Sequence, residues 1–189
     1  FISVFTTLLA FAVVPFGPEE QAPWFMRYII APDVDIGIIF IFAISSLSVY
    51  AVILGGWASN NKYSAIGALR ASAQVVSYEI PLGVSVLGVA LLAGTLNLER
   101  IVNVQAAGGI FAWNIWYQPL AALIFFTSAM AESNRLPFDL PECEQELVGG
   151  YHTEASSLKL GLMLLSEYVH LVVRSFIVAA VFLGGGGAF

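Results

Sequence analysis

Apolar residues run through this chain in long continuous blocks, with little of the alternation that marks a half-buried strand. Five blocks are evident. Phe1 to Val14 is the tail of one, closed by Pro15, and Ile36 to Leu54 is a second with no charged residue. Ile80 to Leu98 is a third, and Trp116 to Ala131 a fourth with apolar residues upstream able to extend it. Leu158 to Leu183 is the fifth and contains Glu167, His170 and Arg174. A helix of about 20 mostly apolar residues crosses the hydrocarbon core of a bilayer. Continuous runs suit helices, which satisfy their backbone groups internally, whereas barrel strands alternate. The pattern predicts an all-α polytopic transmembrane bundle, one membrane-embedded domain over residues 1–189.

The segments between the blocks alternate sides. Segments 15–35 and 99–115 share one side, and 55–79 and 132–157 are predicted as loops on the other. The second side holds Lys62, Arg70 and Arg135, with Lys159 at its edge, against Arg27 and Arg100 on the first. The inside-positive bias of membrane proteins places the second side in the cytoplasm or its organellar equivalent. Trp24, Trp57, Trp113 and Trp116 fall near predicted span ends, as interfacial anchors do. No internal repeat of the secondary-transporter kind is found.

Composition agrees. Hydrophobic residues make up 59% of the 189 and charged residues 11%, against about a quarter charged in soluble domains. The mean hydropathy is +0.85. A net charge of −6, from 13 acidic and 7 basic residues, argues against a nucleic-acid surface. Cys143 is the single cysteine, which excludes an internal disulfide and a multi-thiolate zinc or iron–sulfur site. There is no dinucleotide-binding glycine fingerprint, and His152 and His170 stand in different segments. Any redox centre must sit on other chains.

The most informative stretch is Ala131 to Glu154, AESNRLPFDLPECEQELVGGYHTE. Asp139 and Glu142 have capping-box spacing, with Pro141 tolerable in a first turn. A short helix is predicted through Glu144 and Glu146 to Gly149-Gly150. Glu142 and Glu146 share a face there, and like charges at that spacing repel. No residue from Asp139 to Glu154 is Lys or Arg. One reading is a solvated acidic helix. The other is a cluster crowded against the membrane, where partial desolvation favours the protonated carboxyl and allows proton exchange near neutral pH.

Glu79, directly before Ile80 and Pro81, either faces water at a span's start or points into a bundle interior. Glu167 stands inside a span, where a charge costs on the order of 2.5–3.5 kcal/mol and normally faces a cavity with a partner. His170 and Arg174 fall on its stripe. This allows a buried Glu–Arg pair or a proton relay with His170 as neighbour. Segment 55–79, GGWASNNKYSAIGALRASAQVVSYE, is rich in small residues and predicts a loop plus short helix lining a narrow cavity at the membrane surface. Lys62 and Arg70 are inside-positive anchors there, or Arg70 hydrogen-bonds a carbonyl oxygen.

GWASNNKYSAIGALRASAQVVSYE, AESNRLPFDLPECEQELVGGYHTE and LLSEYVH, in this order and spacing, closely resemble the subunit 1 (H-type) family of respiratory complex I, NADH:quinone oxidoreductase. The resemblance covers nearly the whole chain. It implies a subunit of about eight spans, with both ends beyond this sequence, at the heel of the complex where the hydrophilic arm docks. It implies a quinone chamber at that junction and a path coupling quinone reduction to proton movement. On that analogy Glu79, Glu132, Asp139, Glu142, Glu144, Glu146, Glu154 and Glu167 are proton-path or coupling residues. Lys62, Arg70, Arg135 and Phe138 line the quinone chamber or the docking surface. Quinone is then the substrate at a subunit interface. NADH, FMN and iron–sulfur clusters belong to partner subunits, and the partners are the other membrane-arm subunits, the hydrophilic arm and membrane lipids. A bacterial plasma membrane is favoured over an organellar inner membrane. Arg174 and Ala155 depart from the family pattern. Two rivals stay open: the homologous subunit of a membrane-bound hydrogenase, and a stand-alone ion transporter using Glu79 and Glu167.

Overall fold

The structure is a computed structural model that describes residues 2–14, 34–133, 138 and 157–185. Among the described residues there are seven α-helices and no strand. They are α1 (Ile2–Phe11), α2 (Gly37–Ala58), α3 (Lys62–Ala93), α4 (Leu98–Ala107), α5 (Asn114–Tyr117), α6 (Pro119–Glu132) and α7 (Ser157–Phe182), with a 3-10 turn at Ile110–Ala112 before α5. Three of them, α2, α3 and α7, are long and apolar enough to cross a membrane.

Three boundaries differ from the sequence reading, each for a local reason. Residues 62–79, expected as a loop and short helix, are the first half of α3, which continues through Pro81. The connection from α2 is short: Asn60 takes φ 52°, and the Asn61 side chain accepts from the Tyr63 N–H at 3.0 Å to cap α3. Pro81 removes one helical N–H, which transmembrane helices tolerate better than soluble ones. At 32 residues and 1.5 Å per residue, α3 is about 48 Å long, so it tilts or projects beyond a hydrocarbon core of about 30 Å. Gly94, at φ 67°, ends it in the left-handed conformation that glycine adopts freely. Residues 99–107, expected as loop, belong to α4, whose first turn is capped by Asn97 through the N–H groups of Glu99 and Arg100. The fourth block does not extend upstream as one helix. Pro119 pushes Gln118 out of the helical region (φ −134°, ψ 61°), leaving α5 as a separate turn.

The helices close a ring. α1 packs on α2, α2 on α3, α3 on α6, α6 on α7, and α7 back on α1. One half of the ring interior is apolar: Ala10, Ile41, Leu82, Phe125, Val173 and Ile177 meet there, contributed by all five helices. The outward faces are apolar as well. Ile39, Leu47, Val84, Leu91, Leu123 and Leu165 are all exposed, the pattern of a surface that meets lipid or neighbouring subunits rather than water.

Two devices hold the ring's ends. Gly56 lets α2 approach α3 closely, since a Cβ there would lie 2.3 Å from the Ala68 Cβ and 2.9 Å from the Ser64 carbonyl oxygen. Gly56→Ala is therefore expected to push the helices apart and destabilise the chain by about 1–3 kcal/mol, as overpacking does. Thermal unfolding in detergent checks it, and an unchanged midpoint would refute the close approach. At the other end Gln105 is buried. Its Nε2 donates to the carbonyls of Ala180 (3.1 Å) and Val181 (3.2 Å), and its Oε1 accepts from the N–H groups of Asn114 (3.2 Å) and Gly184 (3.1 Å). Asn114 Nδ2 adds a second bond to the Val181 carbonyl at 2.8 Å. The last carbonyls of α7, which have no partner within the helix, are thus satisfied from α4 and α5.

Candidate functional site: a polar cluster inside the ring

The other half of the ring interior carries ionisable side chains. Glu132, the last residue of α6, and Arg174 of α7 form a salt bridge through Oε1 and Nη2. Their side chains are only 3% and 11% exposed, so the pair is taken almost wholly out of solvent. An unpartnered charge there would be costly, and a guanidinium fits a carboxylate well. Ser46 of α2 donates to Glu79 Oε2 on α3 at 3.3 Å, and Glu79 lies within electrostatic range of both Glu132 and Arg174. Oε1 of Glu79 and Nε2 of His170 are buried without a hydrogen-bond partner among the described residues.

A cavity of about 70 Å³ opens beside the salt bridge, lined by Ser3, Ser48, Ser133, Ser166, Glu132, Glu167, His170 and Arg174 together with Ala51, Val52, Val75 and Met163. Polar side chains stand on its wall beside a larger apolar area, and it is large enough for more than one water. Ser3 of α1 and Ser166 of α7 hydrogen-bond to each other at its wall. Through Ser3, Ala51 and Met163 it adjoins a larger, mainly apolar cavity of about 360 Å³ between α1, α2 and α7, lined also by Ile2, Val4, Leu54, Gly55, Lys159 and Leu162. That volume lies within the usual range of small-molecule pockets.

The structure places Glu132 and Glu167 on the wall of one cavity, and Glu79, which lines neither cavity, within electrostatic range of Glu132. Arg174, expected on the Glu167 stripe, takes Glu132 as its ion-pair partner. Phe138 packs edge-on against Tyr78 at 5.9 Å between ring centroids, and its carbonyl accepts from Gln74 Nε2 at 2.8 Å. Gln74 also donates to the Ala131 carbonyl at 2.7 Å, tying α3 to the end of α6. Lys62 and Arg70 stand on the first turns of α3, on the order of 26 Å and 14 Å along the helix from Glu79. The exposed Lys62 ammonium sits over the Tyr63 ring, 5.2 Å from its centroid. Neither lines the two cavities. Arg135, Asp139, Glu142, Glu144, Glu146 and Glu154 lie outside the described residues. Ser3, Ser46 and Ser166 give no signal in the sequence. A serine in an apolar helix usually bonds its own backbone, as Ser46 also does to Phe42, so only the packing gives it a distant partner.

The family model described as NADH dehydrogenase matches residues 1–189. The chain belongs to the NADH dehydrogenase family. Within this family it is similar to NADH-quinone oxidoreductase subunit 8 of Rhodothermus marinus, 53% identical over 162 residues, covering 85% of this chain and 48% of the relative. It is 48% identical over 184 residues to subunit 8 of Thermus thermophilus, covering 97% of this chain and 49% of the relative. A third relative, an NADH-quinone oxidoreductase subunit of Cytophaga hutchinsonii, is 47% identical over 184 residues, covering 97% and 53%. The chain spans about half the length of these curated relatives. Each of these matches covers at least 85% of this NADH dehydrogenase family member.

Proposed function

We propose that this chain is the quinone-chamber and proton-path part of the membrane subunit of a proton-translocating NADH:quinone oxidoreductase. The observation that carries the reading is that Glu132 and Glu167 share one cavity inside a helix ring whose outer face is apolar, with Glu79 within electrostatic range of Glu132. Intramembrane carboxyls around a polar cavity are the usual elements of a proton relay. The names of the relatives support the overall reaction, in which NADH gives two electrons to a quinone that also takes up two protons. NADH, FMN and iron–sulfur centres belong to partner subunits in this reading, and this chain contributes no redox centre. The 360 Å³ apolar cavity, with Lys159 and Ser3 as polar donors, has the chemistry to take an isoprenoid-type ring or tail. Lys62, Arg70, Arg135 and Phe138 serve the docking surface toward the hydrophilic arm. The acidic stretch Asp139 to Glu154 passes the charge change at the quinone inward to Glu79, Glu132 and Glu167, since carboxyls at low effective dielectric respond strongly to one another. Partner membrane-arm subunits and lipid cover the outer face. The bacterial sources of the relatives support a bacterial plasma membrane.

Glu79→Gln tests the path, because glutamine keeps the bond to Ser46 and cannot exchange a proton. In the assembled complex, NADH:quinone turnover is expected to fall to about a tenth or less, given that a positioned acid–base group contributes on the order of 10²-fold or more. NADH oxidation by an artificial acceptor should persist. The double variant Glu142→Gln/Glu146→Gln should behave likewise. Full quinone turnover in both assembled variants would discard the path.

A further inference from the structure

The polar cavity and the apolar half of the ring meet at three side chains. Glu132, His170 and Arg174 line the 70 Å³ cavity on one side and, on the other, a void of about 10 Å³ walled by Ile41, Leu82, Phe125 and Ile177. That void holds one water at most. The salt bridge, with the His170 imidazole beside it, therefore stands between the 70 Å³ cavity and an apolar constriction. An arginine does not lose its proton in a protein, so while Arg174 stands at the partition it cannot hand a proton across. A fixed cation in a narrow passage is an electrostatic barrier to protons.

Resting on the proton-path reading above, we infer that Arg174 is a proton gate, a cation anchored by Glu132 that bars proton passage through the ring while the salt bridge is closed. The groups that face it are Glu132 from α6, Glu79 from α3, and Glu167 and His170 from its own helix. Release follows from the same geometry. Helix side chains lean toward the helix N-terminus, which aims Arg174 at His170 and Glu167 within the shared cavity. Two turns of helix separate Arg174 from Glu167, a rise of about 10.5 Å, which a long guanidinium and a glutamate can span between them. When Glu132 takes a proton, the cation loses its partner and swings to the second carboxylate, and the passage beside Glu132 opens. Departure of that proton draws the guanidinium back. The salt bridge thus closes the ring behind each proton.

The test is passive proton leak. The intact complex, carrying the full-length subunit, is reconstituted into phosphatidylcholine vesicles with an entrapped pH-sensitive dye, and leak is read after a pH jump without NADH. Complex is normalised by NADH oxidation with an artificial acceptor. Arg174→Met is expected to raise the leak at least about fivefold by removing the barrier charge, and Arg174→Lys to keep it low. Because Arg174→Met leaves Glu132 unpaired and can impair assembly, the double variant Glu132→Gln/Arg174→Met, which removes both charges, decides the case and is also expected to leak. A tight double variant, or a lysine variant as leaky as the methionine one, overturns the gate. If Glu79→Gln abolishes quinone turnover while these variants stay tight, the gate fails and the path stands. If Glu79→Gln and Glu142→Gln/Glu146→Gln are both fully active, the path itself fails.

Discussion

Glu132→Ala is expected to destabilise the folded chain by about 3–5 kcal/mol, because breaking a buried ion pair from one side leaves an uncompensated charge. The Arg174 side chain is 11% exposed, and neither the apolar wall at Ile41 and Phe125 nor the small cavity can hydrate a guanidinium as bulk water does. The arginine would have to leave the ring or drag water into it. Replacing both partners, as Glu132→Gln/Arg174→Met, is expected to be much milder, since neutral side chains of similar volume often substitute for a buried pair at little loss. Thermal inactivation of the purified complex and the amount of subunit in the membrane measure both variants. An equal loss in the single and double variants would mean that something other than charge pairing holds α6 to α7.

A second large effect is expected at Gln105. Its amide serves four backbone groups outside its own helix. Gln105→Leu preserves most of the volume and removes every one of these bonds. The N–H groups of Asn114 and Gly184 lose their acceptor. At about 1–3 kcal/mol for each buried group left unmatched, these two alone predict a loss of about 2–6 kcal/mol. The Val181 carbonyl keeps Asn114 Nδ2, while the Ala180 carbonyl loses the Gln105 donor. Gln105→Glu is expected to be intermediate, as a carboxyl still accepts but no longer donates twice. Unfolding midpoints in detergent give the ranking. Leucine as stable as glutamine would contradict the capping role.

These two sites mark the limits of what the sequence conveys. The spans are legible because unbroken apolarity is a strong signal, and the acidic residues within them because charge in hydrocarbon needs a reason. From sequence, Glu79 stands at the start of a span, because the uncharged apolar run begins at the next residue, Ile80. In the structure it lies deep within α3, where Pro81 is absorbed. The stripe Glu167, His170 and Arg174 is correct as a stripe, yet the arginine's ion-pair partner comes from α6, 42 residues earlier in the chain, and helical periodicity is blind to that distance. Gln105 gives no signal at all: a lone glutamine in an amphipathic segment reads as surface until the end of α7 is seen resting on it.

The ring is closed by α1 and α7, with Ser3 and Ser166 joined across 163 positions of chain. Synthesis runs from N- to C-terminus, so the walls α1, α2, α3 and α6 are made before α7 emerges from the ribosome. Until then Glu132 has been delivered to the membrane ahead of the only arginine placed to meet it among the described residues. A nascent subunit that stops short of α7 therefore differs chemically from one that contains it: its Glu132 stands on an open flank without the guanidinium that α7 brings.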